Sequence, residues 1–132
     1  MILRTVTNTV SIDAPVSKVF AFLADASTWP SWAIVNVKAI KKAKGDWWDM
    51  QTPIGAARLR IRPQEQLGIL DHDFVAPDAQ WTVPARVVSN GSGAVFMITF
   101  FQPPNFTDEF FDQQTVLVDR ELAKLKEILE SH

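Results

Sequence analysis

Two side chains carry the chemistry that this sequence could perform, His72 and Arg86. In Ile69-Leu70-Asp71-His72-Asp73-Phe74, strand alternation puts Leu70, His72 and Phe74 on one face and Asp71 and Asp73 on the other. His72 is then the one internal group that titrates near neutrality, which makes it the candidate general acid or base. On an apolar face such a histidine also serves as a hydrogen-bonded wall residue, and both roles stay open. Arg86 lies in Trp81-Thr82-Val83-Pro84-Ala85-Arg86-Val87-Val88, where the apolar set Trp81, Val83, Ala85 and Val87 has the opposite parity. Pro84 permits a bulge that would change that parity midway. Turned inward, the guanidinium would meet an anionic ligand group or an enolate; turned outward, it pairs on the surface.

Other chemistries are excluded. The chain has no cysteine, hence no disulfide, thiol nucleophile or thiolate metal site. Consecutive strand residues such as Asp71-His72-Asp73 cannot converge on one ion, so no metal site is expected. There is no Gly-x-Ser-x-Gly elbow and no phosphate loop, which removes serine hydrolase and nucleotide chemistry, and no cofactor is expected. The net charge of -2 argues against nucleic acid as a partner, and the run Lys38 to Lys44 reads as a solvated face. No apolar stretch approaches the ~20 residues of a membrane span. Met1-Ile2-Leu3-Arg4 leads straight into alternating residues, so the cytoplasm is the expected compartment.

The elements that must position these groups are legible in the punctuation. Val6, Val10 and Ile12 alternate with polar residues as in a half-buried strand. Pro15 then suits the first turn of a helix with Val16, Val19, Phe20 and Leu23 on one face. Asp25 to Trp32 reads as a second short helix or turn, restricted by Pro30. Turns at Lys44-Gly45-Asp46, Pro53-Ile54-Gly55, Pro63-Gln64-Glu65, Ala76-Pro77-Asp78 and Asn90-Gly91-Ser92-Gly93 divide the next stretch into six strands. After Pro103-Pro104, Thr107 caps a long helix with Asp108 and Glu109 in its first turn. Its inner stripe is Phe111, Val118, Leu122, Leu125 and Leu129, supplemented by Phe110, Leu117 and Ile128.

That order describes a container in one domain spanning residues 1–132. An antiparallel sheet of seven strands curved around one long helix leaves a gap, filled either by side chains or by a small apolar ligand. Strand parity turns Trp48 and Met50 inward beside a more exposed Trp47, turns Ala57, Leu59 and Ile61 inward, and lines the outer face with Arg58, Arg60 and Arg62. The expected wall of the gap is Trp32, Trp48, Met50, Leu59, Leu70, His72, Phe74, Trp81, Met97, Phe111 and Val118. Trp32 near the entrance and Trp48 on the wall would suit stacking on a flat aromatic molecule.

Ile12-Asp13-Ala14-Pro15 with Val19-Phe20, then Asp25 and Trp29-Pro30-Ser31-Trp32, then the meander and the final helix, resemble the START-like superfamily, also called SRPBCC. That superfamily includes polyketide cyclases, aromatase-cyclases and ligand binders of the birch-pollen-allergen type. Gly68 to Asp73, Arg86-Val87-Val88 and Thr107-Asp108-Glu109-Phe110 are similar to segments of its small cyclase-like or dehydrase-like members. The resemblance implies an α+β helix-grip fold with a cavity between sheet and helix. Three functions follow from it: a binder of a small hydrophobic, aromatic or lipid-like molecule, acting as monomer or homodimer; a cyclase- or dehydratase-like enzyme with His72 and Arg86 as catalytic residues; or a protein-interaction module with a filled interior. The binder is favoured, because one internal histidine and no tyrosine or cysteine leave few groups for chemistry.

Overall fold

The computed structural model describes residues 1–77 and 79–131. In chain order the elements are β1 (Thr5–Ile12), α1 (Val16–Ala24), a 3-10 turn at Ala26–Thr28, α2 (Trp29–Trp32), β2 (Ala39–Lys42), β3 (Trp48–Thr52) and β4 (Gly55–Ile61). They continue with a 3-10 turn at Glu65–Leu67, β5 (His72–Ala76), β6 (Ala79–Val83), β7 (Ala85–Asn90), β8 (Gly93–Phe101) and α3 (Asp108–Glu130). The fold is α+β, with antiparallel sheets against a long C-terminal helix, as expected. The turn at Ala76-Pro77-Asp78 is described through Pro77, and Asp78 lies outside the described residues.

Among the described residues there are eight strands in two sheets, not seven in one. One sheet has the order β1-β8-β7 and the other β2-β3-β4-β5-β6. The additional strand comes from Pro84. Val83 pairs with His72 of β5, whereas Ala85 pairs with Ile98 of β8. A residue without an N–H cannot continue a ladder, so the stretch read as one strand changes partner there. Parity survives the break: Val83, Ala85 and Val87 are all buried, and Arg86 between them is exposed.

The two sheets are stitched together by residues 68–70. The Leu70 N–H donates to the Ala85 carbonyl at 2.9 Å and the Val87 N–H donates to the Gly68 carbonyl at 2.8 Å. Gly68 makes this close approach possible. Its φ is +67°, and a Cβ placed there would lie 2.1 Å from the Val87 oxygen.

The helices cover one face of this framework. In α1, Val19, Phe20 and Leu23 are buried at the expected spacing. In α3, Thr107 accepts the Phe110 N–H as N-cap, and Phe111, Val118, Leu122, Leu125 and Leu129 are buried together with Thr115 and Glu121, which the heptad pattern did not single out. Phe110, assigned to that stripe, is exposed and packs edge-on against Phe106 at 4.7 Å. Asn8 fastens β1 to the helix: its Nδ2 donates to the Thr115 carbonyl at 3.0 Å and to Asp119 Oδ1 at 2.7 Å.

Gly68→Ala combines a positive φ with a backbone collision, so it is expected to destabilise the fold by more than about 1 kcal/mol. The urea midpoint measures this, and an unchanged midpoint would mean that the junction between the sheets relaxes freely.

Candidate functional site

The gap between sheet and helix is occupied by side chains, and its centre is a continuous row of rings. Trp32 meets Phe96 at 6.3 Å and Trp29 at 5.1 Å, and Trp29 meets His72 at 5.0 Å. His72 in turn meets Phe74 at 5.5 Å, and Phe74 stacks on Trp81 at 5.7 Å. All but the last contact are edge-to-face, the arrangement that aligns the positive rim of one ring with the negative face of the next. Met50, Leu59, Leu70 and Val118 belong to the same buried cluster, and Trp48 lies at its margin with the Lys42 ammonium 5.2 Å above its ring.

His72 is an inward residue of this row and is fully enclosed. Its Nδ1 lies 3.0 Å from the Leu70 carbonyl, a contact that the neutral ring makes as an N–H donor. Burial pushes its pKa down to about 4, and the Leu70 bond and the charges of Asp71 and Asp73 offset only part of that shift. The ring is therefore neutral at neutral pH. As a base of such low pKa it has little driving force for removing a proton from carbon.

Trp32, expected near an entrance, is buried within the row. Among the described residues, its Nε1 is a buried donor without a hydrogen-bond partner. The contrast with Trp29 is informative, since Trp29 Nε1 donates to the Leu23 carbonyl at 2.9 Å. A buried N–H with nothing to bond costs about 1–3 kcal/mol.

Arg86 and His72 do not converge. Arg86 points outward, where its Nε donates to the Leu67 carbonyl at 3.2 Å, on the opposite face from His72. Its strand kept its parity across Pro84, so the inward alternative is overturned. Met97, placed on the inner wall by sequence, pairs with Arg86 across β7 and β8 and shares its outer face. Together with Thr7, Ile69, Asp71 and Pro84 they line an open surface cleft of about 370 Å³. The Ala94, Phe96 and Ile98 side chains face inward instead. Phe111 is buried beneath the Arg4 guanidinium, 5.2 Å from its ring, at the end of α3 beside the N-terminal strand and outside the main cluster.

The three arginines of β4 line the outer face as their parity requires. Arg58 and Arg60 lie 5.0 and 4.7 Å from the Trp47 ring. Arg60 and Arg62 both bind Asp73, at 2.9 and 3.0 Å, and Thr82 donates to the same carboxylate at 2.7 Å. Burial raises the Asp73 pKa, but the bonds from Thr82, Arg62 and Arg60 outweigh it and hold the carboxyl below its usual range.

Sequence reasoning missed Glu121. This residue is 3% exposed, and its carboxylate accepts the Val35 N–H at 3.0 Å, the Asn36 N–H at 2.9 Å and Asn36 Nδ2 at 2.9 Å. Burial pushes its pKa up, and the bonds from Asn36 and Val35 offset only part of the shift. The available signal was a charged residue between Val118 and Leu122, within the apolar stripe.

Residues 4–68 match the family described as "Polyketide cyclase / dehydrase and lipid transport". Among curated proteins, no sequence matches the chain. Solved structures show the same fold at low identity. Ara h 8.0201 is 12% identical, with 98% of this chain and 99% of that one covered at a TM-score of 0.76. The Aha1 dimer from Colwellia psychrerythraea is 13% identical, with 97% of each chain covered and a TM-score of 0.76. A START superfamily protein from Mycobacterium smegmatis is 12% identical, with 96% of this chain and 97% of that one covered and a TM-score of 0.72. Among the described residues, no helix is long and apolar enough to cross a membrane.

Because the native state excludes the His72 proton down to about pH 4 while the unfolded chain accepts it near 6.5, stability falls as pH drops through that window. The shift corresponds to a loss of about 3 kcal/mol from this group. Denaturant melts between pH 7 and pH 4 are expected to show a steeper loss for the wild type than for His72→Gln; parallel curves would refute the neutral buried imidazole.

Proposed function

We propose that residues 1–132, which share the helix-grip fold of START-like (SRPBCC) proteins, act as a cytoplasmic binder of an uncharged, flat apolar molecule bearing one hydrogen-bond acceptor. The family match and the fold together point to a START-like ligand-binding domain. The observation that carries the finer reading is the unpaired Trp32 Nε1, a buried donor set among aromatic walls. A ligand carbonyl or ether oxygen would give that donor the partner it lacks, while the surrounding rings supply stacking surface.

The charge pattern supports a neutral ligand. His72 is uncharged in the ring row, whereas Arg58, Arg60, Arg62 and Arg86 line outer faces. A carboxylate or phosphate held beside His72 would meet a neutral ring, with the arginines directed to the outer faces, and burial of an unpaired charge is severely unfavourable. Binding rather than turnover fits the same facts, because the two candidate catalytic groups stand on opposite faces and His72 is a weak base. The interaction-module reading draws on one observation of its own, the filled interior. In that case partner capture would respond to Arg58, Arg60 and Arg62 and ignore changes to the ring row.

Native mass spectrometry of freshly purified protein, with extraction of any retained small molecule, addresses the ligand directly. A paired titration tests the donor. The wild type is expected to prefer 2-acetylphenanthrene over 2-ethylphenanthrene by about fivefold, the worth of one hydrogen bond, and Trp32→Phe is expected to abolish the preference. Saturable binding of neither compound, or a preference that survives Trp32→Phe, would overturn the proposal.

A further inference from the structure

The ring row must admit a ligand from somewhere, and one short segment beside Trp32 is tied to the long helix through a single side chain. Trp32 ends α2, and the chain runs from there through Val37 to β2. Both ends of this strap are fixed. Trp29 Nε1 donates to the Leu23 carbonyl of α1 at 2.9 Å, and the Lys38 N–H donates to the Gln51 carbonyl of β3 at 2.8 Å. Between those anchors the Ala33 N–H bonds Trp29, the Val37 N–H bonds Ala33, and Lys38 Nζ bonds Ile34, all of them local contacts. Among the described residues, the hydrogen bonds that tie residues 33–37 to a distant part of the chain end on a single side chain, Glu121 of α3. Val37 and Ala33 contribute buried methyl groups, while Ile34 is 37% exposed on the outer side.

A carboxylate is an unusual choice for that position. It stands within an apolar stripe between Val118 and Leu122, where a leucine would fasten strap to helix without the cost of desolvating a charge. What a carboxylate offers instead is two acceptable environments. With the strap down, three N–H groups satisfy it; with the strap raised, water does. An apolar side chain would resist the second state, which exposes it to water.

We propose that residues 32–37 form a lid over the ring row and that Glu121 is its latch, so that release of the Val35 and Asn36 contacts lets Trp32 draw away from Phe96 and admit the ligand. The lid takes the ligand site proposed above as its premise. Trp32 lies on the lid itself, so closure brings its Nε1 back onto the bound molecule, joining entry and recognition in one movement.

Hydrogen–deuterium exchange and the association rate of a neutral fluorescent probe, N-phenyl-1-naphthylamine, test this in the full chain. Glu121→Ala is expected to speed exchange of the segment spanning residues 33–37 by about tenfold or more, with β1 and β8 unchanged, and to accelerate probe entry. Asn36→Ala, which removes one of the three donors, is expected to give a smaller change in the same direction. Since the chain has no cysteine, the double variant Asn36→Cys with Glu121→Cys forms a reversible lock across the same contact. Oxidation is expected to block probe entry and reduction to restore it, which keeps the test valid if Glu121→Ala does not fold. Unchanged exchange in Glu121→Ala, or undiminished entry into the oxidised double variant, overturns the latch. Faster exchange in the strap with no probe binding in any variant supports the latch while removing the ligand site that it was taken to guard.

Discussion

The row of rings from Trp32 to Trp81 is the constraint on which the interior depends. A curved sheet gripping a straight helix cannot close flat against it, and the volume between them must be filled at close to crystal density. Here that volume is filled by edge-to-face aromatic contacts, with an imidazole as one member of the series. The neutrality of His72 is a consequence: once the ring is surrounded by Trp29 and Phe74, a charged imidazolium would lose its hydration, and the Leu70 carbonyl with the charges of Asp71 and Asp73 would return only part of that loss. The lone donor of Trp32 is another consequence. Its ring is required for packing against Phe96, and in that position no acceptor reaches its nitrogen.

Polar chemistry is displaced to the opposite face of the sheet. Asp73, one residue after His72, sees Arg60, Arg62 and Thr82, and its carboxyl is held acidic while its neighbour is held neutral. The alternation of a single strand thus separates two electrostatic environments by the thickness of a sheet. Arg86 falls on the outer side for the same reason, with Met97 beside it. The only way for Arg86 to reach His72 was a parity change at Pro84, and the proline breaks the ladder without shifting the alternation.

The local periodicities carried much of the fold and some of the site. The capped start of α3, its leucine stripe, the turn residues and the inward face of β5 all follow from spacing and side-chain chemistry. What spacing could not show is where pairing changes hands. Trp81 to Val88 alternates without interruption, and only the three-dimensional sheet order reveals that Val83 and Ala85 serve different partners. Nor does periodicity separate the two faces of β8, a nearly continuous apolar run in which only the pairing with Arg86 shows that Met97 faces outward. Asn8 and Glu121 were hidden for a different reason: each is polar, and its burial depends on partners 107 and 85 positions away in sequence.

A filled interior and a ligand-binding role are reconciled by magnitudes. A bound two-ring aromatic would bury an area comparable to an aromatic side chain, about 150–250 Å². At ~25 cal/mol per Å² that corresponds to about 4–6 kcal/mol. Association itself costs at least about 4 kcal/mol in lost freedom of motion, so a molecule of that size would bind weakly even before the strap is raised. One hydrogen bond to Trp32 adds about 1 kcal/mol, enough to select among ligands but not to hold them. Firm retention therefore requires a ligand larger than two rings, spanning more of the wall toward Leu70 and Met50. Such a ligand would keep Trp32 away from Phe96 for as long as it stayed. A residue facing that displaced strap has to be stable both with its N–H partners and with water, and a carboxylate at position 121 meets that condition where a leucine would not.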